Sequence, residues 1–290
     1  MRVLLTGAGG QLGLSIQDRV PKNWQLSALT SADLDITDPV QIDHVFKTFK
    51  PEIVINAAAF TAVDKAEEDE ITARSVNALA VKNLAIKCEK TKAFLIHIST
   101  DYVFDGRSIM PYRETDILNP ISIYGKTKAE GEQAIIRSGV SYAIIRTSWV
   151  FSEYGNNFFK TMMRLGKDRE SLDIVDDQIG APTYAGDIAD AIIAIARDKN
   201  KIKCEIFHYC GDQITTWADF AKYIFTHAFE AEKINHTVVI NGISTEQFAA
   251  AAPRPKNSVL DCEKIKNSCA IKLSDWQNAV KIIINNHMGK

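Results

Sequence analysis

The sequence predicts an α/β protein: a doubly wound parallel sheet followed by a smaller mixed lobe. Three observations carry that expectation. The chain opens on an apolar strand that runs into a glycine-rich turn and a helix. Short apolar segments then alternate with helical patterns through the first 150 residues. Beyond that point the alternation loosens, and turn signals crowd Gln178–Pro182 and Pro253–Ser258.

Arg2–Thr6 reads as a short buried strand, and Gly7-Ala-Gly-Gly10-Gln-Leu-Gly13 follows at once. Leu12, Ile16 and Val20 recur at helical spacing, so strand, glycine loop and helix stand in the order that a dinucleotide-binding, Rossmann-type unit requires. Gly7 permits the tight turn, Gly10 lets backbone approach a pyrophosphate, and Gly13 lets the helix close on the strand. The helix N-terminus then offers free N–H groups and a positive dipole end to an anion. Further strands are expected at Gln25–Leu29, Ile53–Ala58, Ala93–Ser99 and Tyr142–Thr147. Helices are expected at Leu12–Val20, Pro39–Phe49, Ile71–Lys90 and Tyr124–Arg137. Near-continuous apolar strands between helices imply a parallel sheet covered on both faces. Residues 1–150 are therefore expected to bind the dinucleotide, and 151–290 to form mainly a substrate lobe, with some later segments returning to the sheet. In that second part the pattern predicts helices at Asn157–Gly166, Asp187–Arg197, Trp217–Phe229 and Ser274–Asn286, and strands at Leu172–Val175 and Ile206–Tyr209.

Bulk properties narrow the function classes. The 290 residues are 46% hydrophobic and 24% charged, ordinary values for a globular protein. A net charge of −2 gives no electrostatic case for nucleic acid or an anionic membrane as partner. No apolar run approaches the roughly 20 residues of a membrane span, and a strand at the N-terminus leaves no room for a signal peptide. Five scattered cysteines without a Cys-x-x-Cys pair suggest reduced thiols and a cytoplasmic location, with no metal in catalysis. The six histidines (His44, His97, His208, His227, His236 and His287) are dispersed and read as structural or exposed.

Tyr124-Gly-Lys-Thr-Lys128 carries the chemistry. Residues four apart on a helix have Cβ atoms roughly 5–6 Å from each other. A free phenol, with a pKa of about 10, is a poor proton donor at neutral pH. A neighbouring ammonium stabilises the phenolate and is expected to lower that value. Tyr-x-x-x-Lys alone is a weak signal; downstream of a nucleotide-type glycine loop it is strong. Ligands of such sheets bind beyond the carboxyl ends of the strands. There the sequence places Asn56-Ala-Ala-Ala-Phe-Thr-Ala-Val63-Asp, Ser99-Thr-Asp-Tyr-Val-Phe-Asp-Gly106 and Arg146-Thr-Ser-Trp149-Val.

Together with Gly155-Asn-Asn-Phe158, Asp177-Gln-Ile-Gly-Ala-Pro-Thr183 and Arg254-Pro-Lys-Asn-Ser258, these stretches cover the chain nearly end to end. The chain resembles the extended short-chain dehydrogenases/reductases that act on nucleotide sugars, and within them the dTDP-4-dehydrorhamnose reductase family. That resemblance implies NAD(P)H-dependent reduction of the 4-keto group of dTDP-4-dehydro-L-rhamnose, with hydride from the nicotinamide and the proton from Tyr124. It implies that Lys128 holds the nicotinamide ribose and that Thr100 hydrogen-bonds the carbonyl oxygen. Thr61, Val63, Asp101 and Trp149 match substrate contacts, and Arg254 is placed to meet the substrate diphosphate. Gln11 and Leu12 match pyrophosphate contacts, Asp35 and Ile36 flank the adenine, and Ala57, Ala58, Ala59, Phe60 and Thr61 line the cofactor. Asn77 matches the asparagine that orders the site in this superfamily, or else bonds local backbone. Relatives include metal-bridged dimers; a homodimer is compatible, and no ligand set for a bridging metal is readable.

Two departures refine this. Related dehydratases carry Thr-Asp-Glu where this chain has Thr100-Asp101-Tyr102, which argues against water elimination. At the end of the second strand Leu29-Thr-Ser-Ala-Asp33 offers neither an acid at the first positions nor an arginine. Use of both cofactors follows, with a lean to NADPH. A sugar-nucleotide epimerase or different 4-ketoreductase, and a non-catalytic subunit resembling the regulatory subunit of methionine adenosyltransferase, are the competing readings.

Overall fold

The computed structural model describes residues 1–286 in full and the backbone of His287; the His287 side chain lies outside the described residues. Five strands, β1 (Arg2–Thr6), β2 (Gln25–Leu29), β3 (Ile53–Asn56), β4 (Phe94–Thr100) and β5 (Tyr142–Thr147), join the Cys204–His208 strand in one six-stranded sheet. Its order is β2-β1-β3-β4-β5 and then Cys204–His208, and every pairing is parallel. The order reverses between β1 and β3, and a crevice at such a reversal is where doubly wound sheets take ligands.

Both faces of the sheet are covered, which is why its strands are apolar on consecutive residues. Val3 and Leu5 point into one core with Ile16 of helix α1 (Gln11–Arg19) and with Ile188 and Ile192 of the Ala185–Arg197 helix. Leu4, between them, points into the other core with Ile42 and Phe46 of α2 (Pro39–Phe49) and Leu84 of the Ala80–Thr91 helix. A third core lies outside the sheet. Phe151, Phe159, Met162, Phe220, Ile224, Trp276 and Ile283 bring together the Phe158–Leu165, Trp217–Glu230 and Trp276–His287 helices. Ser171–Val175 pairs in parallel with Val239–Ile243 beside them.

One expected helix is interrupted. The run anticipated at Ile71–Lys90 is a short helix at Glu70–Arg74, a π turn at Ser75–Leu79 and a helix at Ala80–Thr91. The Ile123–Arg137 helix presses on that turn: a Cβ at Gly131 would lie 2.2 Å from the carbonyl oxygen of Asn77. Single π turns inside α-helices are frequent at functional sites, and this one carries Asn77.

Candidate active site

The glycine loop is shaped by contact as well as by dihedral angle. Gly7 has φ +72°, and a Cβ there would sit 2.5 Å from the backbone nitrogen of Ala58. The β1 turn therefore lies directly on the Ala57–Ala58 backbone, and any side chain would prise them apart. A Cβ on Gly13 would meet the Gly7 carbonyl at 2.3 Å, so α1 sits tight on the turn. Gly10, the N-cap of α1, is exposed and has no side-chain cap. An exposed helix start with free N–H groups is the cradle a pyrophosphate needs.

Gln11 does more than begin that helix. Its Nε2 donates to the Val150 carbonyl (3.3 Å), and its Oε1 accepts from Ser152 Oγ (3.3 Å) and Asn157 Nδ2 (3.2 Å). The side chain thus ties the glycine loop to the second lobe, which left no readable signal in the sequence. Leu12 is partly buried against the first core. Beyond β2, Asp35 is exposed and accepts from Thr37 N and Oγ1, a turn-capping role, while Ile36 is buried beside Leu34 and Ile42. Asp33 folds back so that its Oδ2 accepts from Thr30 N (3.0 Å) and Thr30 Oγ1 (2.6 Å). An acid therefore does stand at the end of β2, supplied from four residues beyond Leu29, and those bonds hold its carboxyl below the usual value.

On the other side of the crevice, Ala57, Ala58, Ala59 and Phe60 are partly buried and Thr61 is exposed; Val63 begins a short helix. Asn77 fixes this strip. Its Oδ1 accepts from Phe60 N (2.9 Å), and its Nδ2 donates to Phe60 O (3.1 Å) and Thr127 Oγ1 (3.2 Å). These partners are remote in sequence, so Asn77 joins the Ala57–Thr61 strip to the helix that bears Tyr124 and Lys128.

That helix, Ile123–Arg137, is capped twice. Ser122 Oγ accepts from Gly125 N (3.1 Å), and Glu67 Oε1 accepts from Ile123 N (2.8 Å). Glu67 reaches across because the Val63–Glu68 helix lies beside this one, while Asp69 caps the Glu70–Arg74 helix by accepting from Thr72 N. A Cβ on Gly125 would meet the Tyr102 carbonyl at 2.1 Å, so the helix start rests on the Thr100–Val103 turn.

Tyr124 and Lys128 are brought together with Thr100 and Asp101 at the end of β4. Burial pushes the Tyr124 phenol up to about 12, with the neighbouring Thr100 hydroxyl lowering it and Asp101 raising it. The expected depression by Lys128 is not seen. The named partners of the ammonium are the Ile98 carbonyl (2.6 Å) and His97 Nε2 (3.5 Å). Burial brings Lys128 itself down to about 8, opposed by Glu132. Thr100 Oγ1 donates to Asp101 Oδ1 (2.9 Å) and accepts from Tyr102 N (3.2 Å). Burial raises Asp101 to about 6, with Ser258 and Thr100 opposing. Among the described residues, Asp101 Oδ2 and Thr147 Oγ1 are buried without a hydrogen-bond partner. Thr147 pairs with Thr100 in the sheet register, so both orphaned oxygens belong to neighbouring strand ends at the crevice. Buried polar atoms are rarely left unpaired, and two together mark where a polar ligand is expected.

Trp149 follows β5 with φ +48° and stacks on Trp217, ring centroids 3.6 Å apart. It is partly exposed rather than a core residue, and a Cβ on Gly180 would strike it at 2.5 Å. A positive φ at a bulky residue is uncommon and points to a functional constraint. Arg254 is engaged with Asp64 (2.8 Å), close by Tyr102. It lines a cleft of about 700 Å³ with Arg107 and Lys256, the acids Asp105 and Asp177, and the apolar Ile109, Ile121 and Ile179. Arg254 is paired with Asp64 and Lys256 with Asp177 and Glu246, so a nucleoside diphosphate here would compete with those carboxylates for the cations. Among the described residues, no group of three or more His, Cys, Asp or Glu is placed to hold a metal ion.

The family model described as the RmlD substrate binding domain matches residues 1–288. A dTDP-4-dehydrorhamnose reductase of Aggregatibacter actinomycetemcomitans is 44% identical over 287 residues, covering 97% of this chain and 98% of that one. The solved structure of such a reductase from Clostridium acetobutylicum has a TM-score of 0.91 at 40% identity, covering 98% and 99% of the two chains. A third, from Bacillus anthracis in complex with NADP, has a TM-score of 0.90 at 37% identity over 97% of each chain.

Proposed function

The chain belongs to the RmlD substrate binding domain family, and on that premise we propose that it reduces the 4-keto group of dTDP-4-dehydro-6-deoxy-L-mannose to dTDP-L-rhamnose, using NADPH or NADH. The observation that carries this reading is the convergence of Thr100, Tyr124 and Lys128 at the sheet's carboxyl edge, beside orphaned oxygens and next to the cleft that Arg254 lines.

The residues fit a dinucleotide. The exposed Gly10 turn and the start of α1 would hold the pyrophosphate, Ala57–Thr61 would line its path, and Lys128 would hold the nicotinamide ribose. When bound, the nicotinamide supplies the hydride. The chain's own groups manage the proton. A phenol raised to about 12 is fully protonated at neutral pH, the state a donor must start from. Charge growing on the 4-oxygen would draw that proton across, a transfer made easier by a positioned donor. Thr100 would steady the same oxygen. Its hydroxyl proton is turned to Asp101 here, so this role asks the hydroxyl to rotate or Asp101 to take up a proton. Trp149, Val63 and Thr61 would flank the sugar, and Arg254 the diphosphate once it turns from Asp64. In the same proposal residues 1–150 serve the cofactor and 151–290 mainly the sugar nucleotide. Five unpaired cysteines support a cytoplasmic setting.

The test is direct. Purified protein with dTDP-4-keto-L-rhamnose should consume NADPH, followed at the nicotinamide absorbance, with NADH run in parallel. Cofactor retained through purification with no net consumption would point to an epimerase. Cofactor binding with no turnover of this substrate would overturn the proposal.

A further inference from the structure

Behind Lys128 runs a row of buried polar groups that crosses three strands. The register places Thr6 beside Asn56 and Asn56 beside His97, so the three side chains share one rung and one face of the parallel sheet. All three are 0–1% exposed. Thr6 Oγ1 lies 2.7 Å from Asn56 Oδ1, Asn56 Nδ2 lies 3.0 Å from His97 Nδ1, and His97 Nε2 lies 3.5 Å from Lys128 Nζ. Polar residues inside apolar parallel strands are costly unless paired, and here each is paired with the next.

The row has a directional logic. A neutral imidazole has one donor and one acceptor nitrogen. With Asn56 donating to Nδ1, the His97 proton sits on Nε2 and faces Lys128, which suits a neutral amine. With the amide turned over, Nδ1–H donates to Asn56 Oδ1, and Nε2 presents a lone pair to an ammonium. Thr6 serves either arrangement, because a hydroxyl both donates and accepts. A lysine ammonium has three N–H donors. Ile98 O and His97 take two, and one remains for a ligand.

We infer that His97 is a positioning residue for Lys128: it stays neutral, holds the ammonium through Nε2, and reverses its tautomer through Asn56 and Thr6 when Lys128 loses its proton. This rests on the reading of Lys128 as the residue that holds the cofactor ribose. Burial and the Lys128 charge both keep the imidazole from protonating. The other groups around Lys128 are Tyr124 and Glu132 on its own helix, with Glu132 closed off by Arg146 and Ser99, and Asp101 at the cleft end of β4. Glu132 favours the ammonium, and burial disfavours it.

The decisive measurement needs no turnover. In ¹⁵N-histidine spectra of the intact cofactor-free protein, His97 should be the Nδ1–H tautomer at pH 7. It should convert to Nε2–H with a midpoint at about 8, where Lys128 titrates. In Lys128→Met the conversion should vanish. A tautomer that does not change with pH in the wild type, or an imidazolium forming near the ordinary histidine value, would overturn the inference. Substitutions give a second arm. His97→Gln places an amide oxygen near the Nε2 position and should keep NADPH affinity within a few-fold. His97→Asn keeps only the Asn56 side; it should weaken NADPH about tenfold, the scale of one hydrogen bond to a charged group, and move the alkaline limb of binding to lower pH. Equal NADPH affinity in both variants would also sink it. NADPH binding and tautomer are read apart from substrate reduction, so loss of the reductase reading alone would leave these results standing.

Discussion

The ring of Tyr102 stands edge-on to the ring of Tyr124, centroids 5.5 Å apart and planes at 75°. Tyr102 occupies the place where a water-eliminating relative would carry an acid, and here it braces the ring of Tyr124, the proposed proton donor. Phenylalanine at position 124 would keep that ring contact and remove only the hydroxyl. Tyr124→Phe is therefore expected to fold normally and bind NADPH with unchanged affinity, while kcat falls about 10²- to 10⁴-fold. Single-turnover kinetics beside cofactor titration would check this; activity within a few-fold of wild type would remove Tyr124 from its role.

Asn77 fastens both polar groups of the Phe60 peptide and reaches Thr127 as well. Asn77→Ala leaves a part-buried N–H and C=O of Phe60 without their partner, at a cost of about 1–3 kcal/mol. It also frees the Ala57–Thr61 strip, the proposed cofactor lining, from the Tyr124 helix. A lower unfolding midpoint together with a raised Kd for NADPH is the expected pair of outcomes. A change in stability alone would confine Asn77 to the fold.

Asp101 sets a pH dependence whose direction can be worked out. Its carboxyl moves from an ordinary 3.8 to about 6 in the fold. Between those values the native state holds the extra proton. The associated stabilisation is thus fully present below pH 4 and is lost as pH rises through 6, amounting to about 2–3 kcal/mol. Asp101→Asn cannot ionise, so it should be more stable than wild type at pH 8 and nearly equal to it at pH 4, with slower turnover. Denaturant unfolding at the two pH values decides the matter; equal differences at both would show that ionisation of Asp101 is not the cause.

Asp33 bears on cofactor choice. A carboxylate held at the end of β2 by Thr30 repels a 2′-phosphate and welcomes a 2′-hydroxyl. Asp33 is exposed and screened, so the effect is modest. Asp33→Asn should shift the ratio of kcat/KM values toward NADPH by several-fold, measured with both cofactors in one buffer. A shift toward NADH would contradict this placement.

Much of the frame was legible because its cause is local. Buried parallel strands must be apolar on consecutive residues, and β1, β2 and β5 end where the sequence says. The glycine loop and Tyr124-x-x-x-Lys128 are local too. What escaped depends on register and approach. Nothing in Ser75–Leu79 announces a π turn, since it is pressed into shape by a helix some fifty residues away. His97 read as one structural histidine among six until the sheet set it beside Asn56 and Thr6. Polar residues inside three apolar strands were the available signal, and aligning their rungs required the register. The Tyr124 phenol was expected to fall and instead rises, because desolvation is a property of the assembled cleft and not of helical spacing. Asp33 was discounted at its distance from β2, and a turn brought it back.

The stacked indoles of Trp149 and Trp217 lie nearly parallel, at 10°. Two identical chromophores this close couple their excitations, so the pair should contribute to the near-ultraviolet circular dichroism of the protein. One member sits at the strand end beside the crevice and the other on the Trp217–Glu230 helix of the second lobe. Any ligand that wedges them apart or slides one lobe against the other alters the signal at once. The stacked pair is an optical gauge of its own spacing, readable without a label and without a reaction.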